Sequence, residues 1–238
     1  MQSVFLTAEW RKLILVNYVI DPSILQKYIP PHTQLDLWNG NCYVSIVGFL
    51  FKNTKIKGIK FPFHINFEEV NLRFYVTYTN NGITKRGAVF ISEIVPKPAI
   101  SIIANTLYNE KYQTLKTKYS WEENNTDLKI MYGFKKQNWY TISVVADKRK
   151  QTIQPNSEAE FITEHYWGYT KKSDLKTIEY GVEHPRWDMY AIKNYDIAID
   201  FEKVYGNEFS FLTLQKPTSV ILAEGSEILI RTGKIITN

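Results

Sequence analysis

Four side chains able to act on one ligand stand two residues apart: Glu69, Asn71, Arg73 and Tyr75. In an extended strand alternate residues share a face at steps of about 7 Å. The run therefore presents a carboxylate, an amide, a guanidinium and a phenol to one side, while Val70, Leu72, Phe74 and Val76 take the other. A guanidinium fork suits a carboxylate ligand, and a neighbouring glutamate could orient water or move a proton. The pattern fits equally well a solvated outer face with a Glu–Arg pair worth under about 1 kcal/mol. Alternation alone leaves both readings open.

A second candidate is Lys97, held between Pro96 and Pro98 where a strand is expected to give way to a helix. In apolar surroundings the charged form of lysine is disfavoured, and the neutral amine can attack a ketone to form a Schiff base. The plainer reading is a surface lysine in a proline turn. A third is His184, in Glu183-His184-Pro185-Arg186-Trp187, which could line a pocket mouth as acid, base or anion contact; a structural, hydrogen-bonded histidine is the alternative. His165 closes an expected helix, where a cation would favour the dipole. The four histidines have no zinc-binding spacing and the chain has one cysteine, so no metal is expected. There is no glycine-rich phosphate loop, nucleophile elbow or dinucleotide fingerprint, and no cofactor is expected.

The elements that must position these groups read mostly as strands. Trp10–Val19 is an apolar-rich strand, and Asp21-Pro22 opens a short helix over 23–28. Strands over 35–38 and 43–51 flank Asn39-Gly40, a hairpin dipeptide. The strand over 70–79 turns at Asn80-Asn81-Gly82 into another over 84–95. A helix over 99–108 follows, with Ile100, Ile103, Ala104 and Leu107 on one face. A meander is expected over 116–121, 127–134 and 139–146. Ser157-Glu158-Ala159-Glu160 is a capping box opening a helix to about His165. Strands over 166–169, 175–182 and 190–197 precede a helix from Asp200 to Tyr205. The chain should finish as a hairpin of 219–222 and 228–236. Consecutive strands with tight turns predict a mainly β chain with a few short helices, closed as an antiparallel barrel or cone.

The 238 residues are read as a single domain, 1–238, with no internal repeat or low-complexity linker. Aromatics reach 15%, which suits pleated sheet. Cys42 lies in an apolar run and is read as a small buried hydrophobe. The formal charge is +5, with lysines clustered in expected loops such as Lys52–Lys60. No aromatic–basic motif accompanies them, so nucleic acid is not expected as a partner. The opening residues lack a signal-peptide pattern and no apolar run approaches a membrane span of about 18 residues, which predicts a cytoplasmic protein without a membrane partner.

Trp10-Arg11-Lys12-Leu13 with Asn17-Tyr18, Ile29-Pro30, Leu35-Asp36 and Gly40 carry a family resemblance. So do Phe67-Glu68-Glu69-Val70-Asn71-Leu72-Arg73-Phe74-Tyr75-Val76, Gly87-Ala88-Val89-Phe90-Ile91-Ser92, His165-Tyr166 and His184-Pro185-Arg186-Trp187. The chain resembles the YqjF-like family, a bacterial domain of unknown function, over nearly its whole length. The resemblance implies an acetoacetate decarboxylase-like fold, a β-cone around an apolar cavity, with the Glu69–Tyr75 face turned inward. The decarboxylase works through a Schiff-base lysine in a Pro-Lys-Lys motif. Pro96-Lys97 is similar to its first two residues, and Pro98 replaces the second lysine. Glu69 is the nearest counterpart of the decarboxylase's cavity glutamate. These implications lead to a lumen that binds a small, partly apolar carboxylate or carbonyl ligand at Arg73, Asn71, Tyr75 and His184. The alternative is a Schiff-base enzyme on a small keto acid, with Lys97 as amine and Glu69 as acid–base group. Homo-oligomerisation is left open.

Overall fold

The computed structural model describes residues 2–237. Strands take 60% of the chain and helices 15%, which fixes the class as mainly β. The first half comprises β1 (Val4–Ile20), α1 (Pro22–Leu25), β2 (Gln34–Leu35), β3 (Leu37–Trp38), β4 (Asn41–Ile56), β5 (Phe67–Asn80) and β6 (Ile83–Val95). Then come α2 (Pro98–Tyr108), β7 (Tyr112–Thr114), β8 (Lys116–Glu123), β9 (Asp127–Lys135) and β10 (Trp139–Thr152). The remainder holds α3 (Glu158–Thr163), β11 (Trp167–Ser173), β12 (Lys176–Glu183), β13 (Asp188–Ala198), α4 (Phe201–Tyr205), β14 (Ser219–Arg231) and β15 (Lys234–Ile236).

Local chemistry sets several boundaries. Asn39-Gly40 and Asn81-Gly82 both place two consecutive residues at positive φ, as the tight β3–β4 and β5–β6 turns require. Asp21 accepts from Ser23 N at 2.8 Å and starts α1. Ser157 accepts from Glu160 N at 3.2 Å and starts α3, while Glu160 reaches back to Asn156 N. The return bond of this capping box therefore lands one residue early.

Seven strands pair in the order β12-β11-β6-β5-β4-β1-β14, and β14 pairs back to β12 at Val182–Ile230 and Glu183–Leu229. The pairings form a closed ring. One junction, β6 with β11, is parallel, with Trp167 opposite Gly87. From β14 the sheet continues through β13, β10, β9 and β8, which fold over the outside of β1, β4 and β5. Ile14, Val44, Ile46, Val70, Leu72, Phe74 and Val76 pack there against Leu128, Ile130, Ile142 and Val144. Each of those buried apolar side chains contributes roughly 1.5–3 kcal/mol. The inner face packs Leu15, Tyr43, Val47, Phe49 and Tyr75 with Phe161 and Ile162 of α3 and Tyr180 and Val182 of β12. Cys42 is buried in the outer core, and burial pushes its thiol up to about 11.

Two sequence expectations give way. The C-terminal segment is not a hairpin turning at 223–227: β14 runs straight through, with Gly225 opposite Arg11 of β1. Gly225 has φ +78 and a Cβ there would stand 2.0 Å from Trp10 O, so glycine serves close strand approach, not a turn. Leu107 does not share the buried face of α2. It is 55% exposed, and Tyr108, 7% exposed, takes the inward place beside Ile103 and Ala104.

Candidate functional site

The polar side of β5 faces the inside of the ring. Glu69, Asn71, Arg73 and Tyr75 are all buried, between 1% and 8% exposed. Their ladder partners on β4 are Phe49, Val47 and Ser45, all inner-face residues. On the other flank, Asn71 pairs with Glu93 and Arg73 with Phe90 of β6. The register slips by one between these pairs, so Ile91 is an extra residue. That bulge turns Glu93 inward on the same side as Phe90, where strict alternation would have turned it out.

The stripe divides into an acidic end and a basic end. At the acidic end Asn71 Nδ2 donates to Glu69 Oε1 at 2.8 Å and Tyr112 Oη donates to Glu69 Oε2 at 3.0 Å. Glu110, just after α2, accepts from Thr170 Oγ1 at 2.6 Å and from Tyr180 Oη at 2.7 Å. Burial pushes the Glu69 and Glu110 carboxyls up to about 7 against these hydrogen bonds. Glu93 is also raised, by burial first and then by the Glu110 and Glu69 carboxylates. Glu93 and Glu110 line a cavity of about 80 Å³ roofed by Ile100, Ile103, Ala104 and Tyr108 of α2.

At the basic end Arg73 Nε donates to Tyr75 Oη at 3.4 Å, and the guanidinium carbon lies 5.5 Å from the Tyr75 ring centre. No carboxylate comes within 4.0 Å of Arg73 among the described residues. Tyr75 stacks on His165 at 4.4 Å between ring centres. His165 Nε2 lies 3.1 Å from Asp36 Oδ2, which also accepts from Arg86 Nε at 2.6 Å. Burial, with Arg86 and Arg73 adding repulsion, pushes His165 down to about 4 despite Asp36. It is a neutral core imidazole just past α3, not a cation on a helix end.

His184 is half-buried at the rim of an open hollow of about 590 Å³ that it shares with Ala8, Glu9, Asn53 and Ile228. Its ring stacks on Trp187 at 4.2 Å and leans on Tyr166 at 4.7 Å. Burial, then the Arg73 charge, push it down to about 4, against the bond to Pro185 O. Lys97 occupies the position preceding the first turn of α2 and is half-buried. It is not among the residues lining the cavity beneath that helix. The structure thus brings Glu69, Asn71, Arg73 and Tyr75 together, sets His184 where it feels Arg73, and leaves Lys97 at the edge of the roof. Glu93, Glu110, Tyr112 and Tyr180 were not singled out by the sequence as site residues. Only the isolated acid of Glu93 in an otherwise apolar strand end hinted at one of them.

Known proteins are similar to this chain in sequence or in fold. A profile of the DUF2071 family, described as "Uncharacterized conserved protein", matches residues 7–227. The "Uncharacterized protein YqjF" of Bacillus subtilis (strain 168) is 27% identical over 183 residues, 75% of this chain and 72% of that one. Among solved structures, the acetoacetate decarboxylase of Legionella pneumophila superposes with a TM-score of 0.66 at 13% identity, over 98% of this chain and 87% of that one. The enduracididine biosynthesis enzyme MppR complexed with pyruvate gives 0.66 at 11% identity, over 99% and 91%. An acetoacetate decarboxylase-like enzyme from Sphingomonas wittichii RW1 gives 0.65 at 10%, over 99% and 94%. At these identities the structural likeness shows the fold alone, acetoacetate decarboxylase-like, whereas the profile match covers nearly the whole sequence: the chain belongs to the DUF2071 family.

Proposed function

We propose that the ring encloses a binding site for a small, partly apolar carboxylate, with Arg73 as its anchor. The observation that carries this reading is the unpaired state of Arg73: a residue 8% exposed, with no carboxylate of the described protein within 4.0 Å. Burying a charge without a partner costs several kcal/mol, and an anionic ligand would remove that cost. A carboxylate takes the fork bidentately, Tyr75 and Asn71 flank it, and the neutral His184 supplies a hydrogen-bonding group on the side of the open hollow. Leu15, Val47 and Phe49 offer the ligand's carbon skeleton an apolar wall.

A second reading makes the protein a Schiff-base enzyme on a small keto acid, with Lys97 as amine, Glu69 as acid–base group and Arg73 as carboxylate anchor. What favours it is Lys97's place at the start of the helix that roofs a carboxyl-lined cavity. Pyruvate bound to the similarly folded MppR is in keeping with either reading.

A thermal-shift screen of short carboxylates and keto acids against their uncharged amides tests the first reading. Carboxylates should raise Tm and amides should not; equal effects would remove the guanidinium from the account. Borohydride reduction in the presence of the same keto acids, with peptide mass mapping, separates the two. An adduct on Lys97 would establish the enzymatic reading, and its absence over the series leaves binding without catalysis.

A further inference from the structure

The connection between β4 and β5, residues 57–66, is fixed at its base and bare at its tip. Lys57 N donates to Phe5 O at 2.8 Å and Thr54 N to Ile65 O at 3.0 Å. At the tip His64 N donates to Phe61 O at 3.1 Å, closing a four-residue turn over Pro62 and Phe63. Phe63 has φ +63, a left-handed value that a type II turn ordinarily gives to glycine at this place. Its ring is 87% exposed, more than any other aromatic among the described residues. A bulky side chain thus occupies a strained position and packs on nothing in its own chain, and strain of that kind points to a use outside the fold. Ile59 and Phe61 are exposed beside it. A cleft of about 120 Å³ lined by Phe61, His64, Ala99, Ile100 and Ile103 sets the turn against α2, where Ala99 and Ile102 are also exposed. Two segments thereby join in one apolar patch at one end of the ring, and such patches mark interaction sites.

The charge around the patch has one sign. Residues 53–66 contain Lys55, Lys57 and Lys60 and no acid, and α2 has no charged side chain, with Lys97 just before it. None of these four lysines has a carboxylate within 4.0 Å among the described residues, whereas Arg11, Lys85, Arg86 and Lys193 elsewhere are all paired. A second copy is a poor occupant, because a two-fold interface sets the same patch against itself and would bring Lys57 and Lys60 against their own kind. An anionic bilayer meets both demands: its headgroups attract lysines and its acyl boundary takes apolar side chains. We infer that the turn at Phe61–His64, with Ala99 and Ile102 of α2, is a docking surface for an anionic lipid bilayer. Phe61 and Phe63 enter the headgroup boundary, and Lys57 and Lys60 lie on the headgroups. No helix of the described residues is long and apolar enough to cross a membrane, and docking of this kind uses none. The inference departs from the sequence expectation of no membrane partner, and it does not rest on the carboxylate reading, which concerns Arg73.

The test is sedimentation of the full chain with vesicles of phosphatidylcholine alone and of phosphatidylcholine with one quarter phosphatidylglycerol. The anionic vesicles should bind about twentyfold more tightly, since each of the two lysines held at an anionic surface adds about fivefold. That excess should shrink as salt rises from about 0.1 M to about 0.5 M. Phe63→Gly suits the left-handed turn and removes the ring, so it should melt at or above the parent's Tm while binding anionic vesicles about tenfold less well. Replacing Lys57 and Lys60 together by glutamine should remove most of the preference for anionic lipid with Tm unchanged. Parental vesicle binding by folded Phe63→Gly, equal binding of the parent to both compositions, or binding to neither would overturn the inference. A concentration-dependent dimer that Phe63→Gly dissolves, in a parent that leaves vesicles unbound, would also overturn it and assign the patch to a second copy.

Discussion

Tyr75 donates its phenolic hydrogen to Ser45 Oγ at 2.8 Å across the β4–β5 ladder, so its oxygen can offer Arg73 only a lone pair. Ser45 in turn donates to Asn17 Oδ1 at 2.6 Å, Asn17 Nδ2 to Ser219 Oγ at 2.9 Å, and Ser219 to Glu158 Oε1 at 2.5 Å. Every link points the same way, from the guanidinium on β5 through β4, β1 and β14 to the first turn of α3. The orientation of the buried cation is thereby tied to a carboxylate at the far end of the chain.

Ser45→Ala should break this chain where both of its neighbours are buried. Asn17 Oδ1 loses its donor and the Tyr75 hydroxyl loses its acceptor. An orphaned buried group costs about 1–3 kcal/mol, read as a lower urea midpoint with unchanged slope. A midpoint equal to the parent's would show that the chain carries no stability.

Gly168→Ala should act on the acidic end through packing. A Cβ at Gly168 would sit 2.1 Å from Cζ of Tyr180, whose hydroxyl holds Glu110. The ring must shift, and overpacking of this kind costs roughly 1–3 kcal/mol. Denaturant titration should show that loss. An unaffected variant would mean that Tyr180 is free to move, and that Glu110 is not fixed by it.

The buried acids and histidines act on stability in opposite directions. Glu110, pushed up to about 7 from the ordinary 4.5, keeps its proton in the fold when the unfolded chain has lost it. Its contribution is complete below about pH 4.5 and is lost as pH rises towards 7. His165, pushed down to about 4 from 6.5, binds its proton more readily unfolded, so its contribution is present above pH 6.5 and lost as pH falls through 4. The parent should show a shallow profile between these limits. Glu110→Gln keeps an acceptor for Thr170 and Tyr180 and removes the acid term. It should gain on the parent between pH 5 and pH 8, by on the order of 3 kcal/mol. A difference independent of pH would contradict the raised carboxyl.

Much of this was legible in the sequence where chemistry is local. The alternation at Glu69–Tyr75, the two Asn-Gly turns and the caps at Asp21 and Ser157 each name their element, because strand period and turn geometry depend on near neighbours. The inward aim of the β5 stripe came from resemblance, since alternation separates two faces without saying which is inside. Glu93 could not be placed because Ile91 shifts the register by one residue, and a bulge is decided by pairing between strands. Glu110 lies outside helix and strand, and it belongs to the site only because β11 and β12 bring Thr170 and Tyr180 to it. The supposed turn at Gly225 failed for the same reason: the demand on that glycine comes from Trp10, more than two hundred residues away in sequence.

Calorimetric titration of Arg73→Met with the best carboxylate from the thermal-shift screen decides whether Arg73, a buried cation, holds an anionic ligand. Methionine keeps much of the side-chain volume and removes the charge, so the variant should stay folded. Truncating one partner of a buried, hydrogen-bonded charge pair costs about 2–5 kcal/mol, so affinity should fall by at least about thirtyfold, with a Tm at or above the parent's in the absence of ligand. Retention of parental affinity by a folded Arg73→Met protein would contradict the account.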